Sequence, residues 1–477
     1  MIPRPTYQRD AATAAIVHFG VGGFHRAHQA TYLDTLLSVD PAAGDWGIVG
    51  VGLRPADAAM RDALLPQDCL YTLTLKHPDG AVATGVLGAI FGYLYAPDDP
   101  EAVIERLADP RTRIVSLTIT EGGYNIVAAT GEFDAGDPDV VSDLVPGAVP
   151  RTVFGYLTEA LRRRRDRGLP AFTVMSCDNI EGNGDVARRT VGAFARLVDP
   201  ELADWIETNV RFPNSMIDRI TPATPPELRS EVLARTGIDD RWPVVAEPFT
   251  QWVLEDSFSH GRPALETVGV QVVPDVRPYE LMKLRLLNAG HQALGHFARL
   301  LGYTYVHDAA ADPDIRELLR RYMLDEAGPT LDSLPGVDVD DYVATLLERF
   351  SNPAIADTVA RLCLDASDRI PKFLLPVIAS RADEGAAAPL AAAVVAAWTR
   401  CAEGVADDGV PLELSDRRAP ELIDRARRSR ADRLAFVADP DLFGDLAEHP
   451  EFTEPYLAAL DGLRERGTRA VLAELIR

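Results

Sequence analysis

The feature that most limits how this chain can fold is a change of hydrophobic period near its middle. Before Asp275–Glu280, short β-branched runs at Ala14–Phe19, Trp46–Leu53, Arg113–Thr120 and Phe172–Cys177 alternate with amphipathic stretches of helical spacing. Strands separated by helices return across a sheet face rather than through a tight hairpin, so this alternation specifies βαβ units around a largely parallel sheet. From Pro278 onward the alternation stops. The segments YELMKLRLLNAGHQALGHFARLLGY, DPDIRELLRRYML, DDYVATLLERF, PAIADTVARLCL and LAALDGLRERGTRAVLAELI all carry helical periodicity. The expected organisation is therefore an α/β domain over 1–277 and a predominantly α-helical domain over 278–477. Gly328–Asp341, rich in Pro, Gly and Asp, reads as a loop inside the second domain. Ala386–Trp398, which contains Pro389, is too short to span a bilayer and reads as an Ala-rich packed helix.

Charge and cysteine usage narrow the function classes. A net charge of −24 with no long basic block repels phosphate backbones and anionic bilayers, which disfavours nucleic acid and membrane as partners. Cys69, Cys177, Cys363 and Cys401 are far apart and form no CxxC pair, so neither a thiolate zinc site nor a disulfide framework is expected. A reducing cytoplasm fits this usage. The first twenty residues lack the basic head, apolar core and small-residue cleavage site of a secretory signal.

Three turns that follow strands, Gly20–Gly23, Glu121–Asn125 and Asp178–Gly184, lie where parallel sheets place ligands. In Gly20-Val21-Gly22-Gly23-Phe24-His25-Arg26 the glycines permit a tight turn and close backbone approach to a pyrophosphate, while the next helix offers unpaired N–H groups. A complete GxGxxG would need glycine where His25 stands, so the turn alone fits a plain tight turn equally well. An acidic residue beyond the second strand usually takes the adenosine ribose, and Asp57 in Arg54-Pro55-Ala56-Asp57 answers that description. Asp57 favours NAD by repelling a 2′-phosphate, whereas Arg54 works the other way and keeps NADP open. Asp57 is also placed to cap the Ala58–Leu64 helix. The dinucleotide reading assigns Gly20, Gly22, Gly23, Phe24, Arg26 and Asp57 to the cofactor.

Lys283, Asn288 and His291 sit at offsets of zero, five and eight on a leucine-rich helix, and at about 100° per residue they point near ~0°, ~140° and ~80°. Alone, a lysine can snorkel, an asparagine can bond backbone and a histidine can be a satisfied core residue. Three on one side suggest chemistry. Burial disfavours a lysine's charged form and an oxidised nicotinamide nearby adds to that, which makes Lys283 a candidate general base for an alcohol. Asn288 can donate to an oxygen becoming an alkoxide, and His291 can orient a second hydroxyl. His296, near ~220° on the same wheel, points away and reads as structural.

The runs IVHFGVGGFHRAHQA, SLTITEGGYN, FTVMSCDNIEGNG, FPNSMIDRITP, WPVVAEPFTQWVLED and MKLRLLNAGH, in this order, resemble the polyol-specific long-chain dehydrogenase/reductase family. The likeness extends from Ile16 past Arg369, and the K-x4-N-x2-H helix is its most specific element. It implies a Rossmann-type NAD-binding domain, a helical substrate-binding domain and an active site in the cleft between them. The implied reaction is metal-independent hydride transfer from a secondary hydroxyl of an acyclic polyol to NAD, with D-mannitol to D-fructose as the leading pair. A fructuronate/mannonate or D-arabinitol enzyme is the alternative within the family. By the same resemblance Lys283 is the general base, Asn288 and Asn179 form the oxyanion hole, His291 positions substrate, and Glu121 relays the proton between Lys283 and bulk water. Asp218, Arg361 and Arg369 resemble the polyol-binding positions.

Two departures from the family pattern, Arg369 where lysine is usual and Ala289-Gly290 where glycine-serine is usual, leave the particular polyol open. The partner implied is a small molecule, acted on by a monomer. A non-catalytic dinucleotide-binding sensor is the alternative of another class, and the intact Lys283, Asn288, His291 and Asn179 speak against it. His25 and His28 are close enough to suggest a metal site, but no HExxH accompanies them.

Overall fold

The computed structural model describes residues 2–9, 13–127 and 130–477. It divides into two compact units, Met1–Lys76 with Ala81–Arg277, and Pro278–Arg477 with His77–Gly80.

The strands of the first unit are β1 (Ile16–Phe19), β2 (Ile48–Gly52), β3 (Tyr71–Lys76), β4 (Val82–Leu87), β5 (Ile90–Tyr95), β6 (Ile114–Leu117), β7 (Thr173–Ser176), β8 (Ser215–Asp218), β9 (Val244–Ala246), β10 (Gln251–Glu255) and β11 (Gln271–Val273). Five of them form a central sheet in the order β5-β2-β1-β6-β7, with every neighbouring pair parallel. Within this sheet the chain starts in the middle, builds to one edge, returns and builds to the other. That is the Rossmann order, and it reverses between β1 and β6, where such sheets open a crevice at the carboxyl ends of their strands. The expected strands contain β1, β2, β6 and β7, each shorter than the apolar run that marked it. Not located from the sequence were β5, which contains Gly92, and two small mixed sheets, β11-β10-β8 and β4-β3-β9.

Register explains why those runs carry apolar residues on both faces. Ile16 lies beside Ile48 and Ile114, and these side chains enter one core together with Met175. Val17, Phe19, Val115, Leu117 and Val174 enter a second core on the opposite face. A sheet buried on both faces needs no polar alternation.

The second unit is helical, as the periodicity indicated. Its buried centre is Pro389–Ala402, whose alanines Ala392, Ala393, Ala396 and Ala397 are fully buried and which packs on Ala289–Leu300 and Pro450–Glu465. Small side chains let helices approach closely. Two local expectations change. PAIADTVARLCL forms only the four-residue helix Val359–Leu362, after Asp357 and Thr358 hold a turn, and the closing helical run breaks at Gly467 (φ +79°) into Pro450–Glu465 and Thr468–Leu475. Cys69, Cys177, Cys363 and Cys401 are free thiols, and all are buried. Among the described residues no helix is long and apolar enough to cross a membrane.

Candidate active site

The glycine turn begins where β1 ends. Gly20 has φ +92°, and a Cβ there would overlap the carbonyl of Thr118, just past β6. Gly22 is open, since the nearest neighbour of a Cβ would be the Gly20 carbonyl at 3.8 Å, and Gly23 starts the Gly23–Ala27 helix. The loop is therefore tight at its first glycine and uncovered at the next, the shape a backbone needs to approach a pyrophosphate. A buried network fixes it from below. His18 contacts Ser116 Oγ through Nδ1 at 2.8 Å and Thr118 Oγ1 through Nε2 at 2.9 Å, and Thr118 donates to the Gly20 carbonyl at 2.7 Å. Burial holds His18 well below the usual histidine range, and His25 stacks on its ring with centroids 3.4 Å apart.

Arg26 turns inward. Its guanidinium, fully buried, donates to the carbonyls of Gly22 (3.3 Å) and Trp242 (2.5 Å) and lies over the Tyr71 ring, and burial lowers it to about 10. The side chain thus braces the turn from inside the unit. Phe24 is half-buried and stacks on His28. Asp57 Oδ2 accepts from the Arg54 amide at 2.8 Å and closes the short 3-10 turn Pro55–Asp57, while its side chain makes no capping bond to the Ala58–Leu64 helix.

In the second unit, the segment expected as one α-helix contains a π-turn. Arg277–Met282 is α-helical, Lys283–Asn288 has i→i+5 hydrogen bonding, and Ala289–Leu300 is α-helical again. In an i→i+5 turn the fifth residue on returns towards the face of the first, as the fourth does in an α-helix. Lys283 and Asn288 therefore lie closer together on the helix surface than a uniform wheel indicates. The wide turn has an outside support, because the fully buried Tyr322, which opens a second π-turn at Tyr322–Ala327, donates to the Arg285 carbonyl at 3.0 Å.

Lys283 is 7% exposed, and so is Glu280, one helical turn before it. Asn288 is half-buried, and its Oδ1 has no hydrogen-bond partner among the described residues. His291, half-buried, stacks on Phe350 with centroids 4.4 Å apart. At the Ala289-Gly290 departure, a Cβ on Gly290 would sit 2.5 Å from Met323 Cε, so glycine suits the packing here. His296 is buried, and burial pushes it down to about 3, which keeps it neutral and structural.

The turns after β6 and β7 carry Glu121 and Asn179, both exposed. Between them lies Asp178, 6% exposed, which accepts from the amides of Thr120 (2.7 Å, Oδ1) and Ile119 (3.1 Å, Oδ2) and from Tyr124 Oη (2.8 Å, Oδ2). Burial raises the Asp178 carboxyl above the usual range, and these donors oppose the rise. Thr120 has φ +63° and ψ 169°, a region almost reserved for glycine that costs a larger residue about 1–3 kcal/mol. Asn183 closes the second turn. Its Nδ2 donates to the carbonyls of Asp178 (2.9 Å) and Ser215 (2.7 Å), and its Oδ1 accepts from the Ser215 amide.

The expected polyol-binding residues fall in both units. Asp218 is buried at the end of β8, opposite Gln251 of β10. Arg361 pairs with Asp357, its Nε 2.5 Å from Oδ1, and Arg369 donates to the carbonyls of Arg361 (3.1 Å) and Leu362 (3.2 Å). The two arginines are therefore neighbours, one fixing the backbone of the other. Among the described residues no group of three or more His, Cys, Asp or Glu side chains is arranged to hold a metal ion. Sequence reasoning passed over Asp178 and Glu280, although Asp178 adjoins Asn179 and the E-x2-K spacing of Glu280 and Lys283 places a buried carboxyl one turn from a buried lysine.

The sheet order and the open glycine turn define a dinucleotide-binding α/β unit. Residues 14–267 match the mannitol dehydrogenase Rossmann domain and residues 275–464 the mannitol dehydrogenase C-terminal domain, so the chain belongs to the mannitol dehydrogenase family. It is 48% identical over 474 residues to a mannitol 2-dehydrogenase of Phaeosphaeria nodorum, covering 98% of this chain and 83% of that protein. A mannitol 2-dehydrogenase of Cereibacter sphaeroides is 46% identical over 475 residues, covering 100% and 99%. Among solved structures, the Pseudomonas fluorescens mannitol 2-dehydrogenase in ternary complex with NAD and D-mannitol superposes with a TM-score of 0.85 at 45% identity, covering 100% of this chain and 96% of that one. A D-sorbitol dehydrogenase in substrate-free form superposes with a TM-score of 0.93 at 41% identity, covering 99% and 97%.

Proposed function

We propose that this protein is an NAD-dependent polyol dehydrogenase that oxidises a secondary hydroxyl of D-mannitol to give D-fructose. The observation that carries the reading is the full-length likeness to a mannitol 2-dehydrogenase that binds NAD and D-mannitol. The glycine turn supports NAD, since Gly20 turns sharply and Gly22 leaves backbone uncovered. When bound, the nicotinamide accepts the hydride that leaves the carbinol carbon.

The chain's own residues manage the proton and the oxygen. Lys283 Nζ accepts the hydroxyl proton as general base, and the side-chain amides of Asn179 and Asn288 donate to the oxygen as negative charge develops there. His291 holds a neighbouring hydroxyl. Asp218, Arg361 and Arg369 bind the rest of the polyol, and Asp57 selects NAD over NADP. Glu121 returns the proton to water, and Glu280, buried one turn before Lys283, is a second candidate for that relay. No metal enters the scheme, because a lysine base and two amide donors supply the acid–base and electrostatic parts. The work is that of a cytoplasmic monomer on a small molecule.

The test follows nicotinamide absorbance with purified protein and NAD or NADP, offering D-mannitol, D-sorbitol and D-arabinitol forward, and D-fructose and fructuronate in reverse. The expected result is the highest kcat/KM for D-mannitol with NAD. The likeness to a D-sorbitol dehydrogenase supports a second reading, and preference for D-sorbitol would establish it in place of the first. Preference for fructuronate would move the function to hexuronates, with Arg361 or Arg369 meeting the carboxylate. Cofactor binding without turnover would favour the sensor.

A further inference from the structure

We propose that Asp178 is a positioning residue for hydride transfer, a clamp that joins the turn bearing Glu121 to the turn bearing Asn179 and so sets where both present their side chains. The proposal rests on the reading of Asn179 as a donor to the reacting oxygen. The geometry is that of strand pairing continued by a side chain. The last backbone bond between β6 and β7 and their extensions is the Cys177 amide donating to Leu117 at 2.8 Å. Beyond it the two chains part: the Thr118 amide pairs with Phe19 of β1, and the two amides after it, Ile119 and Thr120, donate to the Asp178 carboxylate. One carboxylate thus replaces the missing rungs of the ladder.

Its other contacts point the same way. Tyr124, fully buried three residues beyond Glu121, donates to Asp178 Oδ2 and lies 2.6 Å from Ser176 Oγ at the end of β7. The Asp178 carbonyl is held by Asn183, so the residue before Asn179 is fixed through both side chain and main chain. Thr120 keeps its glycine-like conformation only where its surroundings over-determine it, and the clamp on its own amide and on the amide before it does so. The result is a buried frame, with Asp178, Tyr124, Ser176, Asn183 and Ser215 all inside, that displays two exposed polar side chains. Stability alone would be served by any buried pairing at this place. What this arrangement adds is a fixed position for residues on both of its sides.

The experiment compares Asp178→Asn, Tyr124→Phe, Asp178→Asn with Thr120→Gly, and Asn179→Ala in the full chain, reading kcat and KM for mannitol oxidation alongside the Kd for NADH by fluorescence. Asp178→Asn turns an NH₂ towards an amide N–H, and a displacement of about 1 Å costs roughly 100-fold in rate, so kcat is expected to fall about 100-fold while the Kd stays within about threefold. Tyr124→Phe, which leaves both backbone bonds, is expected to lower kcat about fivefold. Thr120→Gly, which holds the same backbone conformation without strain, is expected to restore about fivefold or more of the kcat lost in Asp178→Asn while the Kd for NADH stays the same in both variants.

An unchanged kcat in Asp178→Asn beside an inactive Asn179→Ala overturns the clamp and leaves the reading of Asn179 standing. Full activity in Asn179→Ala overturns that reading instead. If kcat and NADH binding are lost together, Asp178 is a folding residue and the proposal fails. Should Asp178→Asn yield no folded protein, Tyr124→Phe decides: lower kcat at unchanged Kd supports the clamp, and unchanged kcat overturns it.

Discussion

Two buried carboxylates, Asp178 in the first unit and Glu326 in the second, both accept from main-chain amides, and they are held differently. Asp178 accepts three hydrogen bonds beyond the ends of two parallel strands, two of them from main-chain amides. Glu326 lies in the second π-turn and accepts from the amides of Leu390 (2.7 Å) and Ala391 (2.8 Å), where the buried helix Pro389–Ala402 begins. Burial raises both carboxyls, and it takes Glu326 to about 7. The contrast reflects where each architecture leaves its donors. Strands that stop pairing expose amides at their ends, so a sheet can frame a site with main-chain groups. A helix spends its amides internally and offers them only at its start or where a wider turn disrupts the ladder. The helical unit offers amides at the helix start Leu390–Ala391, whereas its π-turn leaves a carbonyl, that of Arg285, to accept from Tyr322.

The comparison can be broken most decisively at the lysine. Lys283→Ala is expected to lower kcat by about 1,000-fold or more while leaving NADH affinity within about twofold, as measured by steady-state rates and fluorescence titration. Full activity would shift the chemistry away from the helical unit altogether. Next in size are Asn179→Ala and Asn288→Ala, each expected to reduce kcat about 100-fold or more, the cost of losing one donor to a developing oxyanion. If only one of them matters, the oxygen is stabilised from a single unit.

The pH dependence of stability sharpens the comparison further. Glu326 titrates at about 7 in the folded chain against an ordinary 4.5, so the folded state binds the proton more tightly than the unfolded one. Its contribution is complete below about 4.5 and is lost as pH rises through about 7, amounting to at most about 3 kcal/mol. Thermal melting of Glu326→Gln against the parent should show the mutant's Tm falling less over that window. Parallel curves would mean that the helix start does not depend on this proton. The smallest effect expected separates the two relay candidates: of Glu121→Gln and Glu280→Gln, the one that serves Lys283 should lower kcat about tenfold and move its pH profile. The other should leave the profile in place.

Much of this was legible in the residues. The apolar runs of β1, β2, β6 and β7 declare themselves because both faces of their sheet are buried, and Lys283, Asn288 and His291 stood out as polar side chains in a leucine-rich helix. The π-turn was not legible, since any reading by helical wheel imposes a uniform period, and the bond that supports it comes from Tyr322, 37 residues away. Asp178 escaped for a related reason. Its partners Ile119 and Thr120 are 59 and 58 residues earlier and are main-chain amides, which no side-chain pattern can announce. Arg26 and Asp57 show how one position can suit two roles. Both read from the sequence as cofactor positions, yet the Arg26 guanidinium is turned onto carbonyls within its unit, while Asp57 gives one oxygen, Oδ2, to the amide of Arg54.

The four buried thiols give the chain a pair of internal clocks. Cys69 and Cys177 lie in the first unit, Cys363 and Cys401 in the second. Burial raises all four thiols, to about 11 for Cys69 and Cys363, so thiolate is scarce even where a reagent arrives. Alkylation must wait for the surrounding structure to part, and its pace at each cysteine counts how often that part of the molecule opens. The two halves can thus be timed separately in one intact protein, without cutting the chain or adding a label.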